Sequence, residues 1–145
     1  MRNTLICKAP ILAKRHILVI DDFTMVRKMI RETLELADYD VHETCDGREG
    51  LEALENAPVD LVITDIIMPV MEGLETIREI RKRFPGTPIL AISSGGGNKS
   101  LNLLGIARRL GAHSTLAKPF TPDALVTRVR QMLAERQTDR AATSD

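Results

Sequence analysis

The 145-residue chain has little cysteine, little histidine and no long apolar run, and each shortage closes off a class of function. Its two cysteines, Cys7 and Cys45, lie too far apart for a C-x-x-C redox pair or a metal-binding spacing, and the three histidines are scattered rather than clustered. Free thiols in a reducing cytoplasm are therefore expected. No stretch approaches the roughly 18 consecutive apolar residues that a membrane span requires. A surplus of either charge is missing as well, since 20 Lys and Arg stand against 20 Asp and Glu. A dedicated nucleic-acid binder needs basic residues in excess to meet phosphates, so the balance argues against that class. Residues 1–15 read as a basic, solvated arm, because Lys8 and Pro10 break the apolar stretch that a signal peptide would need.

What is present is a charge asymmetry and a regular alternation of patterns. Residues 1–79 hold sixteen acids and nine bases, whereas residues 80–145 hold four acids and eleven bases. With 43% hydrophobic and 28% charged residues the chain has enough apolar material for one core and is not disordered throughout. Five short apolar runs, His16 to Ile20, Tyr39 to Thr44, Asp60 to Thr64, Pro88 to Ser93 and Ser114 to Ala117, alternate with five amphipathic stretches. Ile17-Leu-Val-Ile20 and Leu61-Val-Ile63 are apolar on both alternating faces, as strands covered on both sides must be. The intervening segments carry helical period: Val26, Met29, Ile30, Leu34 and Ala37 form one stripe, Leu74, Ile77, Ile80 and Phe84 a second, Leu125, Val129, Met132 and Leu133 a third.

Helix boundaries are also marked. Asp46 followed by Glu49 has the form of a capping box, Thr121-Pro122 sets a cap before a proline at the first helical position, Phe84-Pro-Gly86 closes one helix and Gly111 another. The expectation is an α/β fold, a doubly wound, five-stranded parallel (βα)₅ sheet over residues 16–136, with a polar tail at residues 137–145. In such sheets ligands meet the carboxyl ends of the strands at the topological switch point.

Those strand ends are populated by chemistry-bearing residues. The first apolar run ends in Asp21-Asp22, the third runs into Asp65, the fourth ends in Ser93 and the fifth in Lys118-Pro119. A lone aspartate there would be read as a cap or turn former; one polar group at every inner strand end is a site. Two carboxylates ~4 Å apart repel by about 4 kcal/mol at an effective dielectric near 20, so three acids call for a divalent cation or a bound proton. Oxygen-only donors in a small, open site suit Mg²⁺ better than Ca²⁺. A carboxylate beside such an ion, with a hydroxyl and an ammonium for anionic oxygens, is equipped to accept a phosphoryl group. A P-loop is excluded, because Asn98 stands where the glycine before Lys99 is required.

The segments Ile17-Leu-Val-Ile-Asp-Asp22-Phe23, Leu61-Val-Ile-Thr-Asp65-Ile-Ile-Met68-Pro69, Pro88-Ile-Leu-Ala-Ile-Ser93, Gly111-Ala112 and Leu116-Ala-Lys118-Pro119-Phe120, in this order, resemble the CheY-like receiver domain of bacterial two-component response regulators. The resemblance covers residues 16–136. It implies strand order 2-1-3-4-5 and a phosphorelay role in which Asp65 takes a phosphoryl group from a histidine kinase or a histidine phosphotransfer protein. It further implies Mg²⁺ held by Asp22, Asp65 and the Ile67 backbone carbonyl, with Asp21 acting through water, Ser93 bonding a phosphoryl oxygen and Lys118 pairing with its charge. Pro119 resembles the family's cis-proline position. The family's usual Tyr or Phe three residues before the lysine is Thr115 here, so a hydroxyl switch of Ser93 with Thr115 replaces an aromatic one.

The expected function is a single-domain, cytoplasmic response regulator that catalyses only its own phosphoryl transfer and dephosphorylation. Its signal would pass to an output protein on the face of the fourth helix, fifth strand and fifth helix, with no nucleic acid or membrane as partner. Two other readings stand beside it. A phosphorylation-independent interaction module of the same fold would be expected to have lost one of Asp21, Asp22, Asp65, Ser93 or Lys118. An aspartyl-phosphate phosphatase for small molecules would want D-x-D where the chain has Asp21-Asp22-Phe23. In the expected topology the acidic and basic halves of the chain lie on opposite sides, and the basic fourth-helix region meets an acidic partner.

Overall fold

The computed structural model describes residues 14–68, 73–93 and 98–143. The basic arm up to residue 13 and the triple glycine after Ser93 lie outside the described residues.

Five strands and five helices alternate in the order β1 (His16–Ile20), α1 (Thr24–Leu36), β2 (Asp40–Thr44), α2 (Gly47–Asn56), β3 (Leu61–Asp65), α3 (Gly73–Arg83), β4 (Ile89–Ser93), α4 (Asn98–Leu110), β5 (Ser114–Ala117) and α5 (Pro122–Thr143). All strand pairings are parallel and the sheet order is β2-β1-β3-β4-β5. The α/β sheet inferred from the apolar runs is therefore the observed one, in the 2-1-3-4-5 order.

Burial follows position in the sheet. Residues 17–20 of β1 and every residue of the inner strands β3 and β4 are buried, because helices cover both faces. The edge strand β2 is only partly covered, with Val41 and Thr44 buried and Asp40 and His42 exposed. Two cores result. Leu18, Ile20 and Val62 meet Leu51, Leu54, Ile77, Ile80 and Leu104 from α2, α3 and α4. Ile17, Val19 and Ile63 meet Ile30 and Leu34 of α1 and Leu125, Val129 and Leu133 of α5 on the other face.

The boundary residues work as their chemistry requires. Asp46 Oδ1 accepts from the Glu49 N–H at 2.9 Å, and Glu49 reaches back to the Cys45 N–H rather than to that of Asp46. Thr121 Oγ1 accepts from the Ala124 N–H at 3.1 Å at the start of α5. Gly111 ends α4 with φ +131°, and a Cβ there would lie 2.1 Å from Arg81 Cγ.

Two expectations need correction. The segment 137–145 was expected to be a polar tail, but α5 continues to Thr143. Nothing between Gln137 and Thr143 stops a helix: there is no glycine or proline, and Arg140, Ala141 and Ala142 are strong helix formers. The separation of charge is also less clean than the linear sequence implied. Helix α5 of the basic half packs beside α1 of the acidic half, and Arg136 Nη1 donates to the Asp60 carbonyl at 2.7 Å.

Candidate functional site

Asp21 follows β1 directly, and the chain must turn there to start α1. Asp21 makes that turn itself, since its Oδ1 accepts from the Phe23 N–H at 2.9 Å. The local, turn-forming role of the aspartate is thus real, and it leaves Oδ2 facing inward, 3.3 Å from Lys118 Nζ. Asp21 is 1% exposed, whereas its neighbour Asp22 points to the open rim.

Asp65 ends β3, the strand that pairs directly with β1 across the switch point. Its Oδ1 accepts from the Ile66 N–H at 2.9 Å, and its Oδ2 lies 3.8 Å from Lys118 Nζ. One ligand oxygen from each of Asp21, Asp22 and Asp65 lies within 4.8 Å of the others. Lys118 is placed by its backbone: its N–H donates to the Ser93 carbonyl at 2.8 Å, and the Lys118–Pro119 peptide is cis. Ser93 is fully buried at the end of β4.

Burial is the main reason that the Asp65 carboxyl ionises late, pushed up from 3.8 to about 6. Asp21 and Asp22 push in the same direction, while Lys118 and the Ile66 N–H oppose them. One ammonium against three carboxylates leaves negative charge uncompensated, and all the donors are oxygens, a set that fits a hard divalent cation such as Mg²⁺. The arrangement offers a nucleophilic carboxylate, a fixed cation within reach of it and space at the rim beside the exposed Ile67.

Thr115 stands apart from this cluster. The β4–β5 register pairs Thr115 with Ala91 and Ser93 with Ala117, so the two hydroxyl residues share a face two positions apart along neighbouring strands.

Two residues that the sequence reading passed over shape the site. A Cβ on Gly73 would come within 2.0 Å of the Asp65 carbonyl oxygen and 2.4 Å of Ile66 Cα, so α3 begins pressed against the backbone that carries the acceptor carboxylate. The only sequence signal was a glycine just before the Leu74, Ile77 stripe. Arg27 of α1 is the second: its Nη1 donates to the Asp21 carbonyl at 2.7 Å and its Nε to Glu43 at 3.0 Å. Arg31 shares Glu43, and chiefly through it the Glu43 carboxyl is held below the usual carboxylate range.

The response regulator receiver domain family model matches residues 17–130. The chain belongs to this family. A probable transcriptional regulatory protein of Picosynechococcus is 36% identical over 136 residues, covering 89% of this chain and 53% of that protein. The response regulator MprA of Mycolicibacterium vanbaalenii is 34% identical over 127 residues, covering 88% and 54%. The solved CheY-like receiver domain protein from Methanospirillum hungatei superposes with a TM-score of 0.81 at 27% identity, covering 88% of this chain and 99% of that one. The receiver chain spans about half the length of the curated relatives it matches. Among the described residues no helix is long and apolar enough to cross a membrane.

Proposed function

We propose that this receiver domain takes a phosphoryl group onto Asp65 from a phosphohistidine of a histidine kinase or phosphotransfer protein, in a Mg²⁺-dependent reaction in the cytoplasm. The observation that carries the reading is the convergence of Asp21, Asp22 and Asp65 within 4.8 Å, with Lys118 Nζ 3.8 Å from the Asp65 carboxylate. An Asp65 oxygen attacks phosphorus, the bond from phosphorus to the donor's imidazole nitrogen breaks, and Lys118 and Ser93 take up the phosphoryl oxygens. Asp22, Asp65 and the Ile67 carbonyl would hold Mg²⁺, with Asp21 through water, and the ion would neutralise charge on the transferring group. The chain catalyses only this transfer and its own dephosphorylation. Incubation with acetyl phosphate and Mg²⁺ should add one phosphoryl group to the intact mass, dependent on Mg²⁺ and absent in Asp65→Asn. An unmodified parent with every donor would instead favour a phosphorylation-independent module.

Output passes through a protein contact that changes with the phosphorylation of Asp65, biasing two conformations of the α4, β5 and α5 face. The curated relatives are about twice as long, and one is named as a transcriptional regulator, so the charge balance against nucleic acid speaks for this module only. On the proposed output face Arg108, His113, Thr115, Arg128 and Glu135 line a polar depression. Arg108→Glu with Arg109→Glu is expected to weaken an acidic output partner while Asp65 is still phosphorylated at the parent rate; unchanged affinity would count against that face. Ser93 and Thr115 act as the hydroxyl pair of the switch.

The phosphorylated form is expected to be long-lived. Ile67, two residues past Asp65 and 51% exposed, carries apolar surface at the rim where water would approach. Ile67→Ala should lose its phosphoryl group faster than the parent by a factor of a few, read from the decay of phosphorylated mass.

A further inference from the structure

The end of the sheet opposite Asp65 carries a second set of ligating side chains. His16 opens β1 and Asp40 opens β2, and the parallel register sets them directly across from each other. Asp40 and His42 are separated on β2 by Val41, which turns into the core under α1 and α5. Asp40 and His42 therefore lie on the face covered by α2, together with His16. Between these strands and the last turn of α2 there is a cavity, whose lining includes His16, Leu18, Asp40, His42, Asn56 and Pro58.

His16 Nδ1 stands 3.5 Å from Asp40 Oδ2, with both side chains more than half exposed. The start of β1 is fixed, because the His16 N–H donates to Asp60 Oδ2 at 2.8 Å. The His42 side chain is exposed and makes no hydrogen bond among the described residues, and as they stand the ligand atoms of His16, Asp40 and His42 do not all lie within 4.8 Å of one another.

We propose that His16, Asp40 and His42 form a Zn²⁺ site at the foot of the sheet. Two imidazoles and a carboxylate are a borderline donor set that prefers Zn²⁺ to a hard cation. A D-x-H pair on one strand with a histidine facing it from the next puts three donors on a triangle that an ion with bonds of about 2.0 to 2.2 Å can bridge. Asp40 and His16 already meet, and His42 completes the set by a side-chain rotation. The fourth position opens into the cavity. The acidic pocket at the other end offers only oxygens, so the two ends sort ions by hardness: Mg²⁺ beside Asp65 and Zn²⁺ beneath β1 and β2.

The test is a Zn²⁺ titration of the full chain against a chromogenic chelator, with saturating Mg²⁺ present to hold the acidic pocket. One Zn²⁺ per chain is expected, with affinity reduced about tenfold or more by His42→Ala and separately by His16→Gln. Cys45→Ser should leave it unchanged, which separates the site from the neighbouring Cys45, Asp46 and Glu49 group. Side-chain NMR should show the ring resonances of His16 and His42, and not those of His113, moving with Zn²⁺. Both substituted side chains are exposed, and circular dichroism checks that the variants remain folded. Zn²⁺ uptake that survives His42→Ala, that disappears in Cys45→Ser or under saturating Mg²⁺, or that is absent from the folded protein at micromolar Zn²⁺ would overturn the proposal.

Discussion

Gly73→Ala is expected to lower stability by about 3 kcal/mol or more and to slow phosphorylation of Asp65 severely. The added Cβ would sit 2.0 Å from the Asp65 carbonyl oxygen, 2.4 Å from Ile66 Cα and 2.7 Å from the Ile66 carbonyl oxygen. All three are backbone atoms, which cannot rotate away as a side-chain terminus can. Either α3 shifts outward and breaks the bond from the Gly73 N–H to the Ile66 carbonyl, 2.8 Å long, or the Asp65–Ile66 backbone shifts instead. Both routes disturb the strand end that aims the Asp65 carboxylate at Lys118. Urea unfolding measures the first effect and acetyl phosphate labelling the second. Gly105 supplies the control: it lies within α4 with nothing within 4 Å of an added Cβ, so Gly105→Ala should gain about 0.5 to 1 kcal/mol. A Gly73→Ala protein with the parent's unfolding midpoint and labelling rate would show that α3 does not brace the acceptor.

The parts of the fold that were legible in the sequence are those set by local pattern. Continuous apolar runs such as Ile17 to Ile20 identify doubly covered strands because a strand with one wet face would alternate. Asp46, Thr121 and Gly111 mark helix ends because caps act within a few residues of chain. The order of the strands came from resemblance, since five apolar runs do not state their own neighbours. The site was legible as far as it depends on residues following strands, namely Asp21, Asp22, Asp65, Ser93 and Lys118. Gly73 and Arg27 were not, because each acts through backbone that the local pattern does not bring near: Gly73 against Asp65 across a connection, Arg27 against the Asp21 carbonyl and Glu43 of β2. The three histidines looked scattered for the same reason. His16 and His42 come to one cavity only once β1 and β2 are in register.

Asp65→Asn is expected to be the more stable protein in metal-free buffer at pH 7, by about 2 to 3 kcal/mol, which raises its melting temperature by roughly 5 to 10 °C. The Asp65 carboxyl ionises near 3.8 when the chain is unfolded and at about 6 when it is buried beside Asp21 and Asp22. The folded state therefore holds this proton more tightly than the unfolded state, so the parent loses stability as pH rises from about 4 to 6 and has lost all of that increment by pH 7. Asparagine carries no charge to bury, and the difference between the two proteins should shrink through the same window and vanish below about pH 4. Comparing the two cancels the other acids, which titrate in both. Mg²⁺ should narrow the gap from the opposite direction, because a cation that binds the ionised carboxylates stabilises the parent by mass action and has one ligand fewer in the variant. Calorimetry over pH, with and without Mg²⁺, checks both arms. Equal stability at pH 7 in metal-free buffer would mean that Lys118 already neutralises the acidic pocket. A stability difference that Mg²⁺ closes would identify Asp65 as a carboxylate kept charged, against the preference of its surroundings, for the group it accepts.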